Sequence, residues 1–175
     1  MKKLIILATA AVALSVPTIA SAQPNDITPY NFGFRAGVVF PLDEGLRTLN
    51  RTTLGFGIDY TLQQRLIPGA ETFLSFDWFT RSRGGGINVF PILLNQRFYL
   101  SPVNEIADRR TYAFVGLGAV FFDGGGSSAR LGGRLGLGVE LGQNLFAETA
   151  LYLSDVTRNT GVRATSLGVY LGYRF

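Results

Sequence analysis

The chain has 175 residues, enough for one domain of ordinary size with a sizeable core. It contains no cysteine and no histidine, which excludes a disulfide framework, a thiolate metal site and a cysteine lipid anchor, and removes the commonest general base and imidazole ligand. The formal net charge of +4 falls to +2 once Lys2 and Lys3 are set aside with a leader segment, too little for a basic nucleic-acid-binding stripe.

That leader is the first element. Lys2 and Lys3 precede an apolar run from Leu4 to Leu14, and small residues follow at Ala20 and Ala22 before Gln23. This is the three-part layout of a secretory signal, residues 1–22, cleaved after Ala22. A proline-marked lead-in, residues 23–29, connects it to the fold proper, residues 30–175.

Eight strands are predicted in that region: 30–41, 53–62, 70–81, 87–100, 111–122, 130–141, 144–154 and 162–175. They exceed the usual length of globular strands, about 5–6 residues. They match the roughly 9–11 residues of a tilted strand crossing a bilayer. Most connections are short, which favours sequential antiparallel neighbours; Leu42–Thr52 is the sizeable odd-numbered one, and Ser101–Arg110, an even one, is comparable.

The faces of the strands differ in kind. In the first strand Phe32, Phe34, Ala36, Val38 and Phe40 alternate with Asn31, Gly33, Arg35, Gly37 and Val39. The second sets Leu54, Phe56, Ile58, Tyr60 and Leu62 against Gly55, Gly57, Asp59, Thr61 and Gln63. In the third, Thr72, Leu74, Phe76, Trp78 and Thr80 are expected outside, and Phe73, Ser75, Asp77, Phe79 and Arg81 inside. The fourth carries Pro91, which cannot donate to a ladder and predicts a bulge or an exposed rim. The fifth, "TYAFVGLGAVFF", is apolar on both parities, so part of the interior is expected to be apolar.

The sixth strand decides the class. Leu131, Leu135, Leu137, Val139 and Leu141 share a face without a polar side chain, while Arg130, Arg134 and Glu140 alternate with glycines opposite. A solvated sheet would place bulky polar residues outside, whereas glycine and charge suit a narrow, filled lumen. Aromatic residues near strand ends add two girdles of the kind found at membrane interfaces. The fold class is therefore all-β: an eight-stranded antiparallel up-and-down transmembrane barrel behind a signal peptide.

With these features the sequence resembles the small eight-stranded outer-membrane β-barrels of Gram-negative-type bacteria, such as the barrel of outer-membrane protein A, outer-membrane protein X and the opacity proteins. The resemblance covers residues 30–175 and rests on the leader, the eight alternating strands and the terminal "SLGVYLGYRF". It implies an outer-membrane location and an assembly signal in Leu171, Tyr173 and Phe175. It also implies outer-membrane lipid, periplasmic chaperones and the barrel-assembly machinery as partners, and a monomeric state. One position departs from the family pattern: Tyr170 stands where a small residue is usual.

The chemistry-bearing set is Arg35, Arg97, Arg134 and Arg174 with Asp59, Asp77, Glu140 and Glu148, all on the inward parity. An eight-stranded interior is just wide enough to be filled by side chains. These charges are therefore expected to pair as a polar plug, with a gated or narrow solute path as the other reading. No catalytic residue, cofactor or metal site is expected. "GGRLGLG" at 132–138 continues an alternating strand and lacks the helix a dinucleotide loop needs.

The expected function is an envelope-structural role or limited small-solute passage. A soluble lipocalin-like barrel is the alternative, and it would require Leu131, Leu135, Leu137 and Leu141 to point inward. An outer-membrane lipid-modifying enzyme is the second, and the resemblance to such enzymes would imply a histidine-assisted serine in a chain that has no histidine.

Overall fold

A computed structural model describes residues 31–80, 86–100, 110–123, 128–157 and 161–175. The predicted signal peptide, its cleavage residues Ala20, Ala22 and Gln23, and the lead-in 23–29 lie outside these. So do Arg81 and parts of several predicted turns.

The strands are β1 (Phe32–Pro41), β2 (Thr53–Thr61), β3 (Glu71–Phe79), β4 (Asn88–Tyr99), β5 (Thr111–Asp123), β6 (Ser128–Glu140), β7 (Leu145–Ser154) and β8 (Ser166–Arg174). Each pairs antiparallel with the next, and β8 returns to β1, giving a closed barrel. Closure removes the unpaired edges that a membrane would penalise, because lipid offers no hydrogen-bond partner to backbone N–H and C=O groups.

The alternation seen in the sequence becomes the inside and outside of the wall. Leu131, Leu135, Leu137 and Leu141 are all exposed on the outer surface, as are Phe34, Ile58, Leu74, Val115, Leu153 and Leu171. Arg35, Asp77, Asn95 and Arg134 are almost fully buried within. The outward leucines of β6 overturn the lipocalin-like alternative. The middle and lower parts of the lumen are filled by guanidinium and carboxylate groups, where that fold needs an oily cavity.

Three sequence expectations need correction. Pro91 produces neither a bulge nor an exposed rim: it is buried in β4, and its pairing with β5 is continuous through Pro91↔Val120. On the other side the ladder passes from Phe76↔Ile92 to Phe79↔Val89 in unchanged register. The ring's missing N–H thus faces β3 and costs local rungs without inserting a residue. Thr72 is buried instead of lipid-facing, since the connection from β2 folds over it. Its hydroxyl accepts from the Leu66 N–H at 3.0 Å and meets Gln96 Oε1 at 3.1 Å.

The third correction concerns the last strand, which begins at Ser166 rather than Val162. Residues 161–165 instead form the end of a connection in which the Thr157 N–H donates to the Val162 carbonyl at 2.9 Å. A second sizeable odd-numbered connection results, and it docks on the first. Leu42 N–H donates to the Thr165 carbonyl at 2.8 Å.

That first connection also holds an unpredicted helix, α1 (Glu44–Leu49). Asp43 caps it, its carboxylate accepting from the Leu46 N–H at 3.0 Å. Asn50 ties its other end down through Ile87, donating to the carbonyl at 2.6 Å and accepting from the N–H at 3.1 Å. Six residues are too few to hold a helix by propensity, so these tertiary ties hold it.

Candidate functional site

The barrel has a lower rim, where β1 begins and β8 ends, and an upper rim bearing α1. The interior changes character between them. Toward the upper rim it is apolar: Val39, Phe79, Val89, Val120 and Phe122 pack with Tyr152 and Tyr170, joined by Leu46, Ile87, Val162 and Ala164 from the connections, and the cluster continues downward through Leu93, Phe73, Phe114 and Tyr112. Toward the middle and lower rim it is ionic.

Glycines make this filling possible. A Cβ on Gly168 would meet the Tyr170 ring at 2.3 Å, and one on Gly37 or Gly55 would meet it at 2.8 or 2.9 Å. Three inward glycines therefore vacate the volume that Tyr170 occupies, which is how the chain accommodates a large ring where its resemblance leads one to expect a small residue. Gly172 receives Phe146 in the same way, since a Cβ at that position would stand only 2.1 Å from the ring.

All eight charges expected in the lumen are buried there. They divide into two groups. In the middle, Arg35 of β1 pairs with Asp59 of β2 and, at 2.5 Å, with Asp77 of β3. Arg134 of β6 reaches the other Asp77 oxygen at 3.2 Å and Asp59 at 3.7 Å. Glu148 of β7 stands 3.9 Å from Arg35 and accepts a 2.8 Å hydrogen bond from the Tyr112 hydroxyl.

The second group lies at the lower rim. Arg174 holds Glu140 at 2.6 Å, and Arg97 holds Glu71 at 3.0 Å. Arg110 binds Glu140 from the other side at 2.7 Å. The Tyr99 hydroxyl bridges the two carboxylates, at 3.2 Å from Glu71 and 3.0 Å from Glu140.

Glu71, Arg110, Asn95 and Tyr99 were not among the expected site residues. Glu71 shares the inward parity of Asp77, so its place was readable. Arg110 sits just before β5 in a connection, where alternation gives no guide. Asn95, neutral and therefore passed over, accepts from Arg134 Nε at 2.8 Å and donates to Ser75 and backbone carbonyls.

Aromatic rings also face the guanidinium groups. Arg97 lies 4.4 Å from the Phe73 centroid, Arg174 4.7 Å from Phe146, and Arg134 4.9 Å from Phe114. A planar, weakly hydrated cation can stack on such faces while donating in its own plane, which suits arginine better than lysine in this space. The five arginines, Arg35, Arg97, Arg110, Arg134 and Arg174, match the five carboxylates of Asp59, Glu71, Asp77, Glu140 and Glu148.

The proposed assembly residues stand on the opposite surface. Leu171, Tyr173 and Phe175 all point outward, and Tyr173 and Phe175 meet edge to face at 5.1 Å. Phe175 is tied into the wall, its N–H donating to the Phe32 carbonyl at 2.9 Å.

No family model and no curated relative matches the sequence. Solved structures do. The outer membrane protein Ail of Yersinia pestis, studied in a phospholipid bilayer nanodisc, aligns with a TM-score of 0.54 at 16% identity, over 82% of this chain and 98% of that one. Neisserial surface protein A aligns with a TM-score of 0.51 at 14% identity, over 83% of this chain and 97% of its own. With its closed eight-stranded wall and apolar outer surface, the chain has the fold of the small outer-membrane β-barrels.

Proposed function

We propose that the protein is a non-enzymatic, non-conducting outer-membrane barrel with an envelope-structural role. The observation that carries this reading is the opposition of its two faces, apolar side chains outward and a balanced ion-pair network with a packed aromatic plug inward. The outer face suits hydrocarbon. The inner face suits neither an apolar ligand nor free passage of solutes, because Phe79, Tyr152 and Tyr170 fill the path above the charges.

On this reading the chain crosses the inner membrane behind a leader cleaved after Ala22. Periplasmic chaperones carry it, and the barrel-assembly machinery inserts it as a monomer, reading Leu171, Tyr173 and Phe175. Membrane fractionation, gel mobility of unboiled against boiled protein, and planar-bilayer conductance test it together. The expected result is a heat-modifiable outer-membrane protein with no channel events. Stable unitary conductance would favour the solute-passage reading, and a chain soluble without detergent would defeat the membrane assignment.

A further inference from the structure

An open groove of about 740 Å³ lies where α1 meets the upper end of β1. Its walls include Phe40, Arg47, Thr48, Arg51 and Thr52, with Glu44 as the acidic member. The site lies at the border of two surfaces. Phe40 belongs to the outward apolar belt, and its neighbour in the ladder is the outward Leu167 of β8. Arg47 and Arg51 belong to the polar rim above, four residues apart and both exposed. Arg51 also has an interaction of its own within the chain.

We propose that this groove binds a phosphorylated lipid, its phosphate between Arg47 and Arg51 and its acyl chains against Phe40 and Leu167. The idea rests on the membrane reading above, because only in a bilayer do the apolar belt and the arginines face one amphipathic molecule. Guanidinium groups present planar forks that match phosphate oxygens. A pair of them at the edge of a hydrocarbon belt selects for a headgroup phosphate held at that depth. The remaining groups set the sign of the chemistry. Glu44 opposes an anion, and the Thr48 hydroxyl donates to the Gly45 carbonyl at 2.8 Å, leaving its lone pairs to accept from a headgroup hydroxyl.

The test reconstitutes the full chain into vesicles of equal phosphatidylcholine and phosphatidic acid, extracts it gently, and counts retained lipids by native mass spectrometry. The unaltered protein should retain phosphatidic acid about 10-fold over phosphatidylcholine. Arg47→Gln with Arg51→Gln should abolish the preference, Glu44→Gln should increase it, and Arg163→Gln, at the same rim, should leave it unchanged. Equal retention of both lipids by a heat-modifiable, inserted barrel would overturn the site while leaving the membrane reading intact. Failure to insert at all would overturn the membrane reading instead. Displacement of phosphatidic acid by inorganic phosphate at similar concentration would refute the acyl half of the proposal, and unchanged preference in the double arginine variant would refute its location.

Discussion

Replacing Arg35 with methionine removes the cation that joins three strands while keeping a side chain of similar length. Arg35 is fully buried and pairs with Asp59 and Asp77, with Glu148 3.9 Å away. After the change, Asp77 keeps Arg134 at 3.2 Å, but Asp59 keeps only the 3.7 Å contact, and the lumen network carries one uncompensated negative charge. Removing one member of a buried pair costs about 3–5 kcal/mol, because the remaining ion stays desolvated. That is a large share of the roughly 5–15 kcal/mol by which folded domains are usually stable. Denaturant unfolding in lipid vesicles, followed through Trp78, the only tryptophan, would measure it; the ring lies on the lipid face stacked with Phe90. Combining Arg35→Met with Asp59→Leu removes both partners and should recover about 1–3 kcal/mol of the loss. A loss under about 1 kcal/mol in the single variant, with no recovery in the double, would refute the view that these charges are held as mutually required pairs.

Other perturbations probe the wall itself. Leu171→Arg places a charge on the most exposed leucine of β8 and should cost about 2–4 kcal/mol if that position lies near the bilayer midplane, measured by folding yield into vesicles. Gly172→Ala drives a methyl group into Phe146 and should cost about 1–3 kcal/mol; adding Phe146→Leu should recover part of it in the same unfolding assay. Deleting Phe175 removes one interfacial ring and one N–H bond to Phe32, so the finished barrel should lose little stability while pulse-chase assembly into the outer membrane slows. Equal assembly rates for the deleted and intact chains would count against the terminal residue as an assembly signal.

The strands were legible because one physical rule, a period of two with lipid on one side, acts along their whole length. Hence Leu131 to Leu141 and Phe32 to Phe40 could be assigned faces without coordinates. The rule fails where a second layer covers the wall. Thr72 has outward parity yet is roofed by residues of the preceding connection. The helix at Glu44–Leu49 depends on Asn50 meeting Ile87, 37 positions away, and no local pattern announces that pairing. The charges were readable as inward, but their partners were not, because strand tilt and side-chain reach across the lumen decide them. Arg134 finds Asp77 at a separation of 57 residues.

Those long separations bear on how such a wall can enter a membrane. Arg35 links β1 to β2 and β3, and Arg134 links β6 to β2, β3 and β4 through Asp59, Asp77 and Asn95. Arg35 finds one carboxylate on its neighbouring strand, Asp59 of β2, and its second one strand further on, whereas the carboxylates that Arg134 meets lie on β2 and β3, neither of them adjacent to β6. A partly formed sheet facing lipid would therefore expose cations and carboxylates to hydrocarbon until the far strands arrived, at a cost of several kcal/mol per unpaired ion. Backbone edges impose the same penalty on any open sheet. The inward network thus adds a side-chain reason for closure to the backbone reason, favouring insertion with closure over strand-by-strand entry. The apolar plug adds no such requirement, since Phe79, Tyr152 and Tyr170 lose little by meeting lipid before they meet one another. It is the ionic half of the lumen, and not the aromatic half, that couples the eight strands into one event.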